Sequence, residues 1–183
     1  MKTKLLCLMV GLQTLWVIAT VAVQEAKLSR GTVVRLETRL VDPRDLLRGD
    51  FLILNYDIST LNETLFKGGL TNTVPHGTPV YVKLKRDGEF HRAVEASFSP
   101  LAAEADHPVL RGTSTSARPL LQGDPAGLNV EYGLERFYVR EGTGNPSGKL
   151  TVDVAIPSSG KGIIREMFLD GVNYAEAMKK QNP

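Results

Sequence analysis

The sequence predicts a mainly β, antiparallel fold with a few short helices, preceded by a single N-terminal transmembrane helix. Three observations predict it. Residues 5–23, LLCLMVGLQTLWVIATVAV, carry no charge. Beyond them the apolar residues recur mostly with period two, as in strands with one wet face, and seldom with the 3.6 period of a surface helix. Turn residues separate these runs, and little room is left for the helical crossovers that a parallel sheet requires.

The apolar run comes first. At 1.5 Å rise per residue a helix of about twenty residues crosses a hydrocarbon core of roughly 30 Å. Gln13, Thr14 and Thr20 add only mild polarity. A cleavable signal peptide typically carries a shorter apolar stretch, about 7–15 residues. Residues 1–24 are therefore expected to be a retained membrane anchor, with residues 25–183 as the domain that it tethers. The alternative is a secreted protein cut near Thr20-Val21-Ala22. Lys2 and Lys4 precede the run and Lys27 and Arg30 follow it, so the positive-inside bias is thin. The short cationic head is expected to stay in the cytoplasm while the large remainder lies outside it.

Charge then excludes partners. The chain has 183 residues, with 22 Lys and Arg against 20 Asp and Glu. Without residues 1–24, which hold Lys2 and Lys4, 20 basic residues face 20 acidic ones. Nucleic acid is not an expected partner, because neutralising phosphates takes a basic surface. No polybasic run points to anionic lipid. The single cysteine, Cys7, lies inside the apolar run, so no intrachain disulfide can form.

The remaining chain is long enough to build a core without metal or disulfide. Val34, Leu36, Thr38 and Leu40 alternate with Arg35, Glu37 and Arg39 and predict the first strand. Residues 60–66 predict a short helix capped by Ser59. Val80, Val82 and Leu84 alternate with Tyr81, Lys83 and Lys85, and Phe90, Val94, Ala96 and Phe98 continue the even positions. Together they predict a hairpin turning at Asp87-Gly88. Residues 99–127, rich in Pro, Gly, Ser, Thr and Ala, predict a long surface loop with one short strand near Val109. Leu128, Val130 and Tyr132 alternate next. Leu150, Val152, Val154 and Ile156 then predict a strand that turns at 157–160 into a second one over 163–169. Residues 174–180 predict a closing helix.

Two segments stand out. In the first, Pro43 and Gly49 bracket a turn, Asp50 sits at the junction, and Phe51 opens a strand. That strand places Leu52, Leu54, Tyr56 and Ile58 on one face. Its first half is apolar on both faces, which predicts entry near the sheet centre. Asp50 is expected to accept hydrogen bonds from turn amides ahead of any catalytic role. In the second segment, Tyr132 to Val139, Gly133 interrupts a strand and predicts a bulge or a close backbone approach. Glu135 and Arg136 offer charges for pairing, and Glu141-Gly142-Thr143-Gly144 reads as an exposed turn.

These segments carry a resemblance. Gly49-Asp50-Phe51-Leu52-Ile53-Leu54-Asn55-Tyr56 resembles the signature that names the GDYXXLXY family of bacterial membrane-anchored proteins, with Phe51 in place of Tyr. Tyr132-Gly133-Leu134-Glu135-Arg136-Phe137-Tyr138-Val139 with Glu141-Gly142 resembles the family's second recurring segment, with Arg140 where Pro is usual. The family motif thus falls on Gly49, Asp50, Phe51, Leu54, Tyr56, Tyr132, Gly133, Glu135, Arg136, Glu141 and Gly142. The resemblance implies a protein of the bacterial inner membrane with one anchor, no established reaction, and association with a multi-pass membrane protein. It supplies no mechanism, and the missing hydroxyl at Phe51 transfers no phenol role.

A hydroxyl nucleophile needs a base within reach, and a zinc site usually three or four organised ligands. His76, His91 and His107 share no ligand spacing, so neither metal nor cofactor is expected. Gly160-Lys161-Gly162 lacks the remainder of a phosphate-binding loop. Ser29 lacks the surroundings of the nucleophile in signal-peptidase-like serine proteases, which the Arg48-Gly49-Asp50 strand otherwise resembles. A non-enzymatic binding or accessory module is expected. The alternative is an extracytoplasmic hydrolase with a site assembled from distant loops.

Overall fold

The computed structural model describes residues 2–40, 51–70, 74–115, 127–138 and 148–181. Helix α1, Lys2–Arg30, is followed by strands β1 (Thr32–Leu40), β2 (Phe51–Tyr56), β3 (Thr60–Asn62), β4 (Pro79–Asp87), β5 (Phe90–Ser97) and β6 (Val109–Ser114). Strands β7 (Gly127–Glu131), β8 (Arg136–Tyr138), β9 (Leu150–Ile156), β10 (Ile163–Leu169) and β11 (Val172–Asn173) and helix α2 (Tyr174–Gln181) complete the chain. The strands form two sheets, ordered β11-β10-β9-β1-β2-β8 and β3-β7-β6-β4-β5, and every strand pairing among the described residues is antiparallel. The expected mainly β class with an apolar N-terminal helix is what the chain adopts.

The core lies between the sheets. Val34, Leu36, Leu54, Val152 and Val154 of the first sheet and Leu61, Val80, Val82, Leu84 and Leu110 of the second are all almost fully buried. Non-directional burial of apolar area is the main favourable contribution to holding the two layers together. Strand β9 departs from simple alternation: Thr151 and Ala155 on its other face are buried too. It lies between β10 and β1, and the C-terminal end of α1 adjoins it. A strand covered on both faces reads as a near-continuous apolar run, and LTVDVAI is one.

Several elements differ from expectation. Residues 60–66 form β3 and a 3₁₀ turn, Glu63–Leu65, capped by the Asn62 side chain, which accepts from the Thr64 N–H at 3.0 Å. Pairing of β3 with β7 supplies partners that an isolated helical turn lacks. The first hairpin pairs Asp87 with Phe90, so its loop is Gly88-Glu89, one residue later than expected. Gly88 takes φ +62°, as the first loop residue of a type II′ turn does. The register shifts at Val94, which is therefore exposed while Ala96 is buried, breaking the even-numbered pattern. Strand β2 lies one place from the sheet edge rather than at its centre, with Ile53 exposed. The hairpin of β9 with β10, the strand at Val109 and the closing helix all form.

Two close approaches tie the sheets. Gly162 sits between them: a methyl group built on it would lie 2.9 Å from both Leu110 Cδ1 and Val154 Cγ1. His91 of β5 accepts a 3.2 Å hydrogen bond through Nδ1 from the Arg35 backbone N–H of β1. Burial pushes the His91 pKa below its ordinary 6.5.

Gly162→Val is expected to destabilise the fold by about 1–3 kcal/mol through overpacking, with Gly162→Ala less affected. Urea midpoints read by tyrosine near-ultraviolet dichroism measure this, since the single tryptophan, Trp16, lies in α1. An unchanged midpoint for the valine variant contradicts the close approach. Because the unfolded His91 takes up its proton near pH 6.5 and the folded one only lower, its contribution is complete above pH 6.5. It is lost as pH falls through the depressed folded-state value. His91→Gln, which keeps an acceptor, is expected to lose that component of the stability-against-pH curve; identical curves contradict it.

Candidate functional site

The two sequence segments singled out above meet in space. Strands β2 and β8 are neighbours, pairing Phe51 with Tyr138, Leu52 with Phe137 and Ile53 with Arg136. The Leu54 N–H extends the ladder to the Glu135 carbonyl at 2.8 Å. Each segment also marks a place where the chain changes sheets. After β2 the chain passes through a 3₁₀ turn, Asp57–Ser59, into β3 of the other sheet. After β7 it returns through residues 132–135 into β8.

The tyrosines lock these crossovers reciprocally. Tyr56 Oη donates to the Leu134 carbonyl at 2.8 Å, and Tyr132 Oη donates to the Ile58 carbonyl at 2.7 Å. Both rings are buried, as are Ile58 and Leu134. The backbone at each tyrosine is held in a matching way by the side chain three residues on. The Tyr56 N–H donates to Ser59 Oγ at 3.0 Å, and the Tyr132 N–H donates to Glu135 Oε1 at 2.6 Å. Gly133 takes φ +76°, a conformation that side chains resist, which lets the chain turn within residues 132–135.

Electrostatics fixes what these phenols can do. Burial, with the negative charge of Glu135 adding to it, pushes both far above the ordinary phenol value of 10. They are hydrogen-bond donors at any physiological pH. A buried carbonyl left without its donor would lose roughly 1–3 kcal/mol, so the chemistry of this constellation is positional.

The remaining motif residues are distributed around it. Leu54 is buried in β2, and Arg136 is exposed in β8. Phe51 opens β2 through its backbone pairing. Gly49, Asp50, Glu141 and Gly142 lie outside the described residues. Gly133 forms a turn between sheets rather than a strand bulge, with open space where its Cβ would stand.

The histidines are scattered. His76 is exposed, and His107 Nδ1 stands 3.6 Å from Glu104 Oε2. His91 serves the contact between sheets described above. Ser29 Oγ donates to the Ala26 carbonyl within α1. Among the described residues no group of three or more His, Cys, Asp or Glu is placed to hold a metal ion.

Sequence reasoning missed a second polar constellation on the outer side of β1 and β9. Arg35 donates to both Asp153 oxygens at 2.7 and 2.9 Å while its guanidinium lies 4.8 Å from the Phe168 ring centre. The hydrogen bonds to Asp153 raise the Arg35 pKa further. Arg92 reaches Asp57 at 2.6 Å, Asp87 at 3.2 Å and Glu37 at 3.6 Å, and Lys149 meets Glu37 at 2.7 Å. The one available signal was Asp153 itself, a lone charge inside an apolar strand. Arg35 with Asp153 ties β1 to β9, and Arg92 ties β5 to β1, to β4 and to the 3₁₀ turn at Asp57–Ser59.

Tyr132→Phe and Tyr56→Phe are each expected to cost about 1–3 kcal/mol, since each orphans a buried carbonyl. The double variant is expected to deviate from additivity, because both bonds join the same pair of crossovers. Chemical denaturation of the four-member cycle measures both quantities. Losses near zero for both single variants exclude the lock.

The geometry brings together two segments nearly eighty positions apart. The family model described as GDYXXLXY protein matches residues 13–167, from within α1 to near the end of β10. No curated protein and no solved structure matches the chain. A match over most of the length, including both crossovers, places the family beyond the two segments alone: the chain belongs to the GDYXXLXY family.

Proposed function

We propose that this chain is a single-pass protein of the bacterial inner membrane, whose α1 anchors an extracytoplasmic β domain acting as a non-enzymatic binding or accessory module. The observation that carries the reading is the state of α1. Residues Leu6–Ala26 form a 21-residue apolar helix, and none of that window is buried by the rest of the chain. Leu8, Leu12, Leu15, Trp16 and Val21 are all more than 60% exposed. An apolar helix without a protein partner finds its burial in a bilayer, and 21 residues span about 31 Å.

The module reading draws on the motif itself. Its tyrosines and Glu135 are engaged in hydrogen bonds that hold the two crossovers. The partner that best suits an anchored domain of balanced charge is a multi-pass membrane protein in the same bilayer.

Fractionation of a bacterial host expressing the full chain tests the anchor. The chain is expected to stay with membranes through an alkaline carbonate wash and to be cut by protease added outside spheroplasts. A form shortened near residue 22 and recovered free in the periplasm overturns the proposal, as does a carbonate-resistant form shielded from external protease.

A further inference from the structure

The junction between helix and sheet has almost no slack. Gly31 alone separates α1 from β1. Every described residue of α1 from Leu6 through Glu25 is exposed, and Ala26 is half-buried where α1 meets the domain. Between Ala26 and Thr32 the chain can advance at most about 13 Å, four helical steps and two extended ones. The headgroup zone is itself about 5–7 Å deep on each side of the hydrocarbon. One end of the β domain is therefore confined within a few ångströms of the bilayer surface, on the reading of α1 as an anchor.

Register shows which end. Thr32 pairs with Ile156, and Ala155 pairs with Ile163, so the turn joining β9 to β10 lies beside the helix end. That turn carries Lys161, which is exposed. It also receives β6: the Arg111 N–H donates to the Gly160 carbonyl at 2.8 Å, and a Cβ on Gly160 would stand 3.4 Å from that of Arg111. Arg111 is exposed, and so is Arg165, at the bulge early in β10. Lys27 and Arg30 occupy the last turn of α1. Exposed Arg111, Lys161 and Arg165, drawn from two distant stretches of a chain with no basic run, thus lie toward the rim beside the end of α1.

We propose that this rim, formed by the end of α1, the β9–β10 turn and β6, is a docking face for the anionic phospholipid headgroups of the bilayer that α1 spans. The inference rests on the anchored reading and deepens it. A basic residue close to an anionic surface gains about 1 kcal/mol, about fivefold in the docking equilibrium constant, within a Debye length. The tether holds the rim inside that range, so no free association has to be driven. Docking there sets the orientation of the domain and leaves the β10–β11 end, about 20 Å up the sheet, directed away from the lipid.

The test uses the full chain with Cys7→Ala and Ser159→Cys, labelled with an environment-sensitive fluorophore. It is reconstituted into vesicles of phosphatidylcholine, with or without phosphatidylglycerol, containing headgroup spin-labelled lipid as quencher. A Val172→Cys label marks the far end. Strong quenching is expected at position 159 in anionic vesicles, and weak quenching at 172. Quenching at 159 is expected to fall in neutral vesicles and in high salt, and the docking equilibrium constant read from it is expected to fall about fivefold for each of Lys161→Gln, Arg111→Gln and Arg165→Gln. Near-ultraviolet dichroism confirms that these exposed substitutions leave the fold intact. A chain that floats with vesicles but shows equal quenching at 159 and 172, or quenching at 159 indifferent to lipid charge and to the three substitutions, overturns the docking face. A chain that does not float with vesicles overturns the anchor and the docking face together.

Discussion

The reciprocal pair of tyrosine hydrogen bonds is the constraint on which the two-sheet architecture turns. A sheet can be built from local pairing, but a chain that visits one sheet, leaves for the second and returns must expose backbone at each crossing. The carbonyls of Ile58 and Leu134 lie at those crossings and are buried, so each needs a donor. Tyr132 and Tyr56 provide one apiece, each anchored in the opposite crossing. The bulk of each ring fills the core while its hydroxyl satisfies the polar edge, a combination available to tyrosine and denied to phenylalanine.

At Leu54 and Tyr56 this gives physical content to the pattern that names the family. Leu54 and Tyr56 place apolar mass and a donor on one face of β2; Tyr132, Gly133 and Glu135 supply a donor, a turn and an acceptor for the returning chain. Phe51, which departs from the signature tyrosine, lies at the start of β2, away from the hydroxyl pair. The phenols that hold the crossovers are those of Tyr56 and Tyr132, so Phe51 takes no part in the lock. Charged pairs on the outer side, such as Arg35 with Asp153, add orientation. Being partly exposed, they are a smaller contribution than the buried core.

Much of the fold was legible because it depends on neighbours in sequence. The alternation in β1 and β4, the β9–β10 hairpin and the closing helix follow from periodicity and turn residues. What failed did so at register. Asp87-Gly88 reads as a hairpin loop, yet Asp87 stays in the strand and Gly88-Glu89 turns. The same dipeptide at Asp170-Gly171 does form a two-residue loop between Leu169 and Val172, both residues at positive φ. A dipeptide permits a turn, but cross-strand pairing decides its position. The bulge at Val94 and the strand at 60–62 were hidden for the same reason, as each is selected by a partner strand far away in the chain.

The sequence by itself determined that one apolar run, uncharged over residues 5–23, precedes a β-rich body, because hydrophobic length and alternation are properties of a local stretch in contact with solvent or lipid. It also marked two unusual segments without giving their role. Only the tertiary structure decided that these segments cross between sheets side by side and that their tyrosines satisfy each other's carbonyls. Those outcomes depend on distances between residues remote in sequence, which are set by strand register and the packing of the two sheets rather than by any local pattern.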